Sequence, residues 1–507
     1  MSSILTNNGA MVALQTLKSI NKNMGMIQSE ISTGKSVGSA KDNAAVWAIS
    51  KVMESDVKGF KGISDSLNLG SSTLTVGRQA SEAVTDLLTD IKGKIVAAQE
   101  ENVDRVKIQT DIVALRDQIA SVVGAAQFNG LNLISGTDDV NILSSLDRAP
   151  NGNVAASNIT IQREDLTTAA GTFGTGALLA ANTTASAATT TSAGKTAELT
   201  FAGTVAGDTA RITVGGVELN YTAAAASNAT DAATFFTGAI NALGLTGVSA
   251  ANTAGVLTIT STRAFEGLAI TQSETGTGTL AITAVNGAAP AGANTAAAST
   301  IAQRAETIAL STTAQVNEGD SYKVTVGSAS YDYIAGKNET MEDVARGLKI
   351  AVDSGSPNGV TTSVTQNATT GQWSLNVDND GTGSASLALS ATGNAGGTAS
   401  GGLFGLDSID VTTNKGADAA LTNIESMIDR SIDAAANFGS TQKRIGIQSE
   451  FVSKLTDALK SGIGSLVDAD MEEASARLQA LQVQQQLGTQ ALSIANQQPQ
   501  SLLALFR

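Results

Sequence analysis

The residues that could carry chemistry are few, and they do not converge. Two carboxylate pairs, Glu472–Glu473 and Asp138–Asp139, are of the type used for acid–base work. Neither has a cationic or imidazole neighbour in the sequence to split its pKa values, so both read as solvated helix and turn positions. The glycine pairs Gly396–Gly397 and Gly401–Gly402 lack the strand–loop–helix setting, and the following Lys-Ser/Thr, that cradle a phosphate. Asn-X-Thr sequons at Asn158, Asn182, Asn228, Asn338 and Asn367 arise readily by chance in a Thr-rich chain. Trp47 and Trp373 are isolated aromatics and read as packing anchors. The chain has no cysteine and no histidine. That excludes thiol chemistry, disulfides, the usual zinc sites and every histidine-dependent triad. The sequence therefore predicts no enzyme, no metal and no cofactor.

What remains is a question of surfaces. At 507 residues the chain is long enough for several domains, and its net charge of −15 argues against nucleic acid or an anionic membrane as partners. No apolar run reaches the roughly 18 residues of a spanning helix. Met1 to Thr6 lacks the basic and apolar regions of a secretory signal.

The organising stretch is Asp470 to Arg507. Met471, Ala474, Leu478, Leu481, Gln485, Gly488, Leu492 and Ala495 fall on a heptad seam, with Asp470 and Glu473 as a start signal and Pro499 as a stop. Leu502, Leu503, Leu505 and Phe506 form an apolar tip beyond it. Gln485 and Gly488 weaken the seam, so this helix needs a partner. The other end of the chain offers one: Leu14, Leu17, Ile20, Met24, Ile27 and Ile31 make a second stripe, capped by Asn7 or Asn8 and stopped by Gly34-Lys35. The chain is expected to start and finish in one place.

Between the ends, residues 1 to about 145 read as almost wholly helical. A loop at 35–43 is followed by a helix at 44–57 and a longer one at 63–99, carrying Val84, Leu88, Ile91, Ile95 and Ala98. A return helix carries Ile108, Ile112, Leu115, Ile119 and Val122, and segments 421–438 and 445–466 carry similar patterns. An antiparallel bundle follows, with Lys107 and Arg116 on its solvated face. From about 165 to 405 the pattern changes to alternating strands rich in Ala, Thr, Gly and Ser. Gly207-Asp208 through Gly215 aligns with Gly319-Asp320 through Gly327, and each copy continues into a short helix and a strand pair. The predicted unit is β-β-α-β-β, present twice, with low-complexity linkers at 169–195 and 288–300 and no aromatic cluster. The fold class is thus mainly α, a long antiparallel bundle or coiled coil from both termini, with an inserted β-rich α+β region.

Three motifs carry a family resemblance. Ile31-Ser32-Thr33-Gly34-Lys35 with Ser39-Ala40-Lys41-Asp42-Asn43-Ala44-Ala45 resembles the N-terminal signature of bacterial flagellins. Gln127 to Gly136 is similar to the family's motif after the return helix, and Ala491 to Leu503, with Asn496 and Pro499, resembles its C-terminus. Asn43, Val46 and Trp47 depart from the usual aspartate, glycine and leucine. The resemblance implies a subunit that polymerises head to tail into a hollow motility filament. It implies inner-core helices at 1–35 and 468–507, and a helical rod from 36–165 and 406–467. A variable surface insertion would fill 166–405, with repeats at about 206–272 and 318–390.

It also implies partners: copies of itself, other flagellins, the flagellar export apparatus, the filament cap and the hook-junction proteins. An extracellular location follows, without a cleaved signal peptide. The expected subunit-packing residues are Leu14, Leu17, Ile20, Met24, Ile27, Ile31, Met471, Leu478, Leu481, Leu492, Leu502, Leu503, Leu505 and Phe506. A hook–filament junction protein is the nearest alternative, and Ala495 to Gln500 favours flagellin over it. An insertion acting as an adhesin is the other alternative.

Overall fold

The computed structural model describes residues 7–148, 153–179, 182–184, 188–290, 298–355, 357–381 and 386–505. The chain opens with helices α1 (Asn8–Thr33), α2 (Ala44–Ala98) and α3 (Arg105–Ala125). Two hairpins follow, β1 (Gln127–Phe128) with β2 (Leu131–Asn132), and β3 (Val140–Arg148) with β4 (Val154–Ile161). Strands β5 (Thr183–Thr184), β6 (Ala188–Thr190), β7 (Lys195–Ala202), β8 (Thr209–Val214) and β9 (Val217–Thr222) lead to α4 (Ala229–Ala242). Next come β10 (Val248–Thr253), β11 (Val256–Ser261), β12 (Leu268–Thr275), β13 (Thr279–Val285), β14 (Ala298–Ile301), β15 (Glu306–Leu310), β16 (Ser321–Val326) and β17 (Ala329–Ile334). After α5 (Met341–Ser354) the chain makes β18 (Val360–Gln366), β19 (Trp373–Asn379) and β20 (Leu387–Asn394), then the long helices α6 (Asn414–Val467) and α7 (Met471–Leu505).

The chain divides into two compact units, one from residues 1–74, 140–161 and 440–507, the other from 75–139 and 162–439. In the first, Ile63 and Leu67 of α2 and Ile445 and Val452 of α6 are buried. The β3–β4 hairpin lies along α2 at two glycines: Leu146 packs against Gly59 and Ile142 against Gly70. The helices expected at 44–57 and 63–99 are one continuous helix, and it keeps both glycines in its interior. A glycine in a helix costs about 1 kcal/mol against alanine, and here the missing side chain is what lets a strand approach. The segments 421–438 and 445–466 are likewise one helix, and the chain is strand-forming from 127, earlier than the expected 145.

The second unit holds the rest of the helical bundle. Val84, Leu88, Ile91, Ile95 and Ala98 of α2 are fully buried, with Ile112 and Ile119 of α3 and Ile424 and Phe438 of α6. Ser431 on α6 donates to the Ser81 carbonyl at 3.0 Å and receives the Thr85 hydroxyl at 2.9 Å, which satisfies the polar groups inside the seam. Lys107 is solvated, but Arg116 is not: its side chain is 16% exposed beside Asp407. Asp139 also has the cationic neighbour missing from its sequence surroundings, Lys337 at 2.5 Å.

The same unit contains two strand–helix bodies, each with its own core. In the first body, sheets ordered β10-β11-β7-β13 and β14-β12-β8-β9 enclose Leu199, Phe236, Leu257 and Ile270 around α4. In the second, β18-β19-β15-β5 and β17-β16-β20-β6 enclose Ile308, Tyr322, Leu348 and Leu375 around α5. Strands β5 and β6 precede the first body yet complete the sheets of the second, so the first is nested inside the second. Residues expected as linkers at 169–195 and 288–300 therefore supply strand edges, because short Thr-rich segments can pair wherever a sheet edge is open.

The two bodies match in detail. β8, β9, α4 and β10 each begin 112 residues before β16, β17, α5 and β18. Gly207 N–H donates to the Ala223 carbonyl and Ala223 N–H to the Asp208 carbonyl; Gly319, Ala335 and Asp320 repeat both bonds. The first body also gathers aromatics that the sequence reading left scattered: Phe201, Tyr221, Phe235 and Phe236 form one cluster, with ring centroids 5.2 to 6.2 Å apart. Trp373 packs against the core of the second body.

Candidate assembly interface

In α1 the positions turned away from solvent are Ala10, Ala13, Leu17, Ile20, Met24, Ile27 and Ile31. They repeat at intervals of three and four, the phase of one helix face. In α7 the matching positions are Ala474, Leu478, Leu481, Gln485, Gly488, Leu492 and Ala495. The helices pack antiparallel along these seams: Gly9 meets Ala495, Leu17 and Ile20 meet Gly488, and Asn21 meets Gln485. Leu14 corrects the predicted stripe. It is 44% exposed, and Ala13 takes its place on the seam, so helical phase decides over side-chain size. Met471 is 44% exposed too, one turn before the seam begins at Ala474.

The ends of the pair are built by short-range polar chemistry. Asn7 caps α1 by accepting from Ala10 N–H at 3.0 Å, and Gly34, at φ 68°, closes it by donating to the Glu30 carbonyl at 2.8 Å. Asp470 starts α7 by accepting from the Glu472 and Glu473 N–H groups at 3.0 and 3.1 Å. The two connections then bond to each other: Ser36 N–H donates to the Val467 carbonyl at 2.8 Å, and Ala469 N–H to the Gly34 carbonyl at 3.0 Å. This joins the turn leaving α1 to the turn entering α7.

The signature loop Ser39-Ala40-Lys41-Asp42-Asn43-Ala44-Ala45 is exposed and organised by two side chains. Asp42 accepts from the Ser39 hydroxyl and N–H, both at 2.9 Å, and from Gly38 N–H at 3.2 Å. Those bonds, led by the Ser39 hydroxyl, hold its carboxyl below the ordinary aspartate range. Asn43, where the family usually has aspartate, accepts from Val46 N–H at 3.2 Å and caps α2.

At the far end α7 does not stop at Pro499; it runs to Leu505 and includes Leu502 and Leu503, while Phe506 lies outside the described residues. Proline has no N–H to give the carbonyl four residues back, that of Ala495. The Asn7 side-chain amide supplies the missing donor at 2.7 Å. Sequence reasoning missed this bond, although an Asn at one terminus and a Pro at the other are its only signal. Asn496 is exposed.

Beyond the seam the pair keeps apolar side chains outward: Met11, Val12, Leu14 and Met26 on α1, and Val483, Leu487 and Ile494 on α7. Beside the paired connections lies a cleft of 390 Å³ in which Lys35, Lys58 and Lys460 stand with Glu54 and Asp468 over Val57, Ile463 and Val467. Among the described residues no group of three or more His, Cys, Asp or Glu could hold a metal ion, and no helix is long and apolar enough to cross a membrane.

Comparison with known proteins identifies the family. Residues 4–139 match the family model for the bacterial flagellin N-terminal helical region, and residues 421–506 the model for the C-terminal helical region. The chain is 33% identical to Flagellin A of Rhizobium meliloti, over 100% of both chains, and 31% identical to Flagellin B of the same species, again over 100% of both. Among solved structures it overlaps FlgL of Xanthomonas campestris at 13% identity and a TM-score of 0.28, over 81% of this chain and 99% of that one. So low a TM-score carries no argument about the fold. The end-to-end likeness to flagellins does: this chain belongs to the bacterial flagellin family, whose members are structural and not enzymatic, and it is a structural subunit of the flagellar filament.

Proposed function

We propose that the α1–α7 pair forms the inner core of the filament and that sister copies cover the apolar residues it turns outward. One observation carries this reading. Among the described residues, eight apolar side chains on the two paired helices are 44% to 65% exposed, which leaves a water-facing surface of a kind that usually marks a binding site. Unlike surfaces on identical copies give an open helical polymer when the rotation does not close. Leu17, Ile20, Met24, Ile27, Ile31, Leu478, Leu481 and Leu492 then hold the pair together. Leu14 and Met471 face neighbouring copies; the side chains of Leu502, Leu503, Leu505 and Phe506, the other expected packing residues, lie outside the described residues.

On this reading residues 1–35 and 468–507 are the inner core, 36–165 and 406–467 the rod, and 166–405 the surface insertion. The insertion is two copies of a β-β-α-β-β unit, a duplication supported by the 112-residue offset and the paired loop bonds at Asp208 and Asp320. Delivery by the flagellar export apparatus without signal cleavage, an extracellular location, and contacts with filament cap and hook-junction proteins belong to the same proposal, which family membership supports. A hook–filament junction role is the weaker alternative, since the whole-length relatives are flagellins.

Electron microscopy of the purified chain in polymerising salt, beside a chain ending at Asp468, tests the assignment. Filaments from the full chain and none from the shortened one are expected. Filaments from the shortened chain would remove α7 from the core.

A further inference from the structure

The geometry points to Asn7, Asn21 and Gln485 as the residues that fix the register of the terminal helix pair, a role separate from holding it together. The α7 seam is poorly suited to fixing its own register. It contains Ala474, Gly488 and Ala495 among only three leucines, and shallow knobs of this kind can be re-seated one heptad along at modest cost. Gly488 gives one notch, where Leu17 and Ile20 approach.

Among the described residues, two directional contacts cross the seam. The Asn7 amide donates to the Ala495 carbonyl at 2.7 Å, and the Gln485 amide donates to the Asn21 side-chain carbonyl at 2.8 Å. They lie about three turns of α7 apart, so both can be made in one register only. The first is stricter than an ordinary side-chain bond. The Ala495 carbonyl is the acceptor that Pro499 leaves empty, and no other seam position of α7 has a proline four residues beyond it. A slip of one heptad would therefore strand that carbonyl and offer Asn7 a carbonyl already used within the helix. Single polar residues in an otherwise apolar seam set register in this way, at some cost in stability.

The inference takes the paired termini of the assembled subunit as its starting point. It is tested in the full chain under filament-forming salt. The absence of cysteine makes an engineered pair unambiguous, and a Cβ on Gly9 would lie 3.9 Å from that of Ala495, within disulfide reach. Gly9→Cys with Ala495→Cys is oxidised and the intrachain cross-link measured. The same pair is then placed in a chain carrying Asn7→Asp, which keeps the cap on α1 and removes the donor, and Gln485→Leu, which makes the seam more apolar.

The expected result is a fall of about fivefold or more in cross-link yield with helix content by circular dichroism undiminished. Restoring Asn7 alone should recover much of the yield. Unchanged yield would overturn the inference, whether or not filaments form, and so would a loss of yield that merely follows a loss of helix. If the cysteine-free parent chain itself fails to polymerise, it is the filament reading that falls.

Discussion

Arg304 and Asp378 form a two-pronged ion pair in the second body, with Nε and Nη2 at 2.8 and 2.5 Å from the two carboxylate oxygens. Asp378 is buried on β19, and Arg304 lies in the short segment where the chain returns from the nested body. The same segment bonds back to that body, through Arg304 N–H to the Arg263 carbonyl at 2.9 Å and Ala305 N–H to the Ala264 carbonyl at 2.9 Å. Arg304 thus ties the nested body to its host.

Arg304→Ala should therefore cost more than a surface ion pair would. Removing the cation leaves a carboxylate enclosed with nothing to neutralise it, a loss of about 3–5 kcal/mol. Arg304→Lys should recover only part, since a single ammonium cannot span both oxygens. Thermal melts of the full chain check this. A change of under about 1 kcal/mol would mean that Asp378 finds another partner or water.

Glu339 gives a pH dependence of definite sign. It is buried between the second body and α6, where it accepts from the Tyr333 hydroxyl at 2.8 Å and from Arg430 Nη2 at 3.0 Å. Burial raises its pKa and outweighs the lowering effects of Arg430, the Gly336 N–H and Tyr333; Asp343 adds a small push upward. A carboxyl with a raised folded-state pKa binds its proton more tightly in the folded chain. Its contribution to stability is complete below the ordinary glutamate pKa and is lost as pH rises through the raised value. Wild type minus Glu339→Gln should thus decline across that window in melts taken at successive pH values. A flat or rising difference would show that the Arg430 charge, not burial, governs the site.

Two glycines on α2 should respond oppositely to the same substitution. At Gly62 a Cβ meets nothing within 4 Å, so Gly62→Ala should stabilise by about 0.5–1 kcal/mol through helix propensity. At Gly70 a Cβ would run into Ile142 of the β3–β4 hairpin, so Gly70→Ala should destabilise by about 1–3 kcal/mol. Matching shifts from the two variants would show that the hairpin does not press on α2 as described.

These contrasts mark what a sequence can tell. The heptads of α2 and α7 were legible because one helix face is buried along their length, and burial writes its own period. Leu14 fell off the α1–α7 seam because a single stripe can be drawn through neighbouring apolar residues in more than one phase, and only the partner helix selects. The break expected between 57 and 63 is absent, since Gly59 and Gly62 sit inside one continuous helix and a glycine can be a packing notch as well as a helix end. β5 and β6 were invisible for another reason: their partners lie more than 100 residues away, and strands of two and three residues, Thr-Thr and Ala-Thr-Thr, specify no edge. The bond from Asn7 to Ala495 links two residues 488 apart, and no local pattern announces it.

The nested topology makes a final prediction about which part of the insertion is separable. Residues 195–301 have a core of their own, enclosed by strands drawn only from within that span. The second body does not share this property, since β5 and β6 come from one side of the nested body and β15 to β20 from the other. The points where the chain leaves and returns are close together. The Thr190 carbonyl accepts from the Asn379 amide at 3.3 Å, while Glu306 is paired with Val377, two residues away on the same strand. Replacing 192–302 with a short Gly-Ser link, with Arg304 left to hold Asp378, should leave the second body folded and the helical pairings intact. That chain should be soluble, should melt in the range of the parent, and should still form filaments by electron microscopy. Removing 182–190 as well should unfold the second body, because two sheets would each lose an edge strand. If the smaller excision proved as damaging as the larger, the first body would be a structural part of its host and not a guest within it.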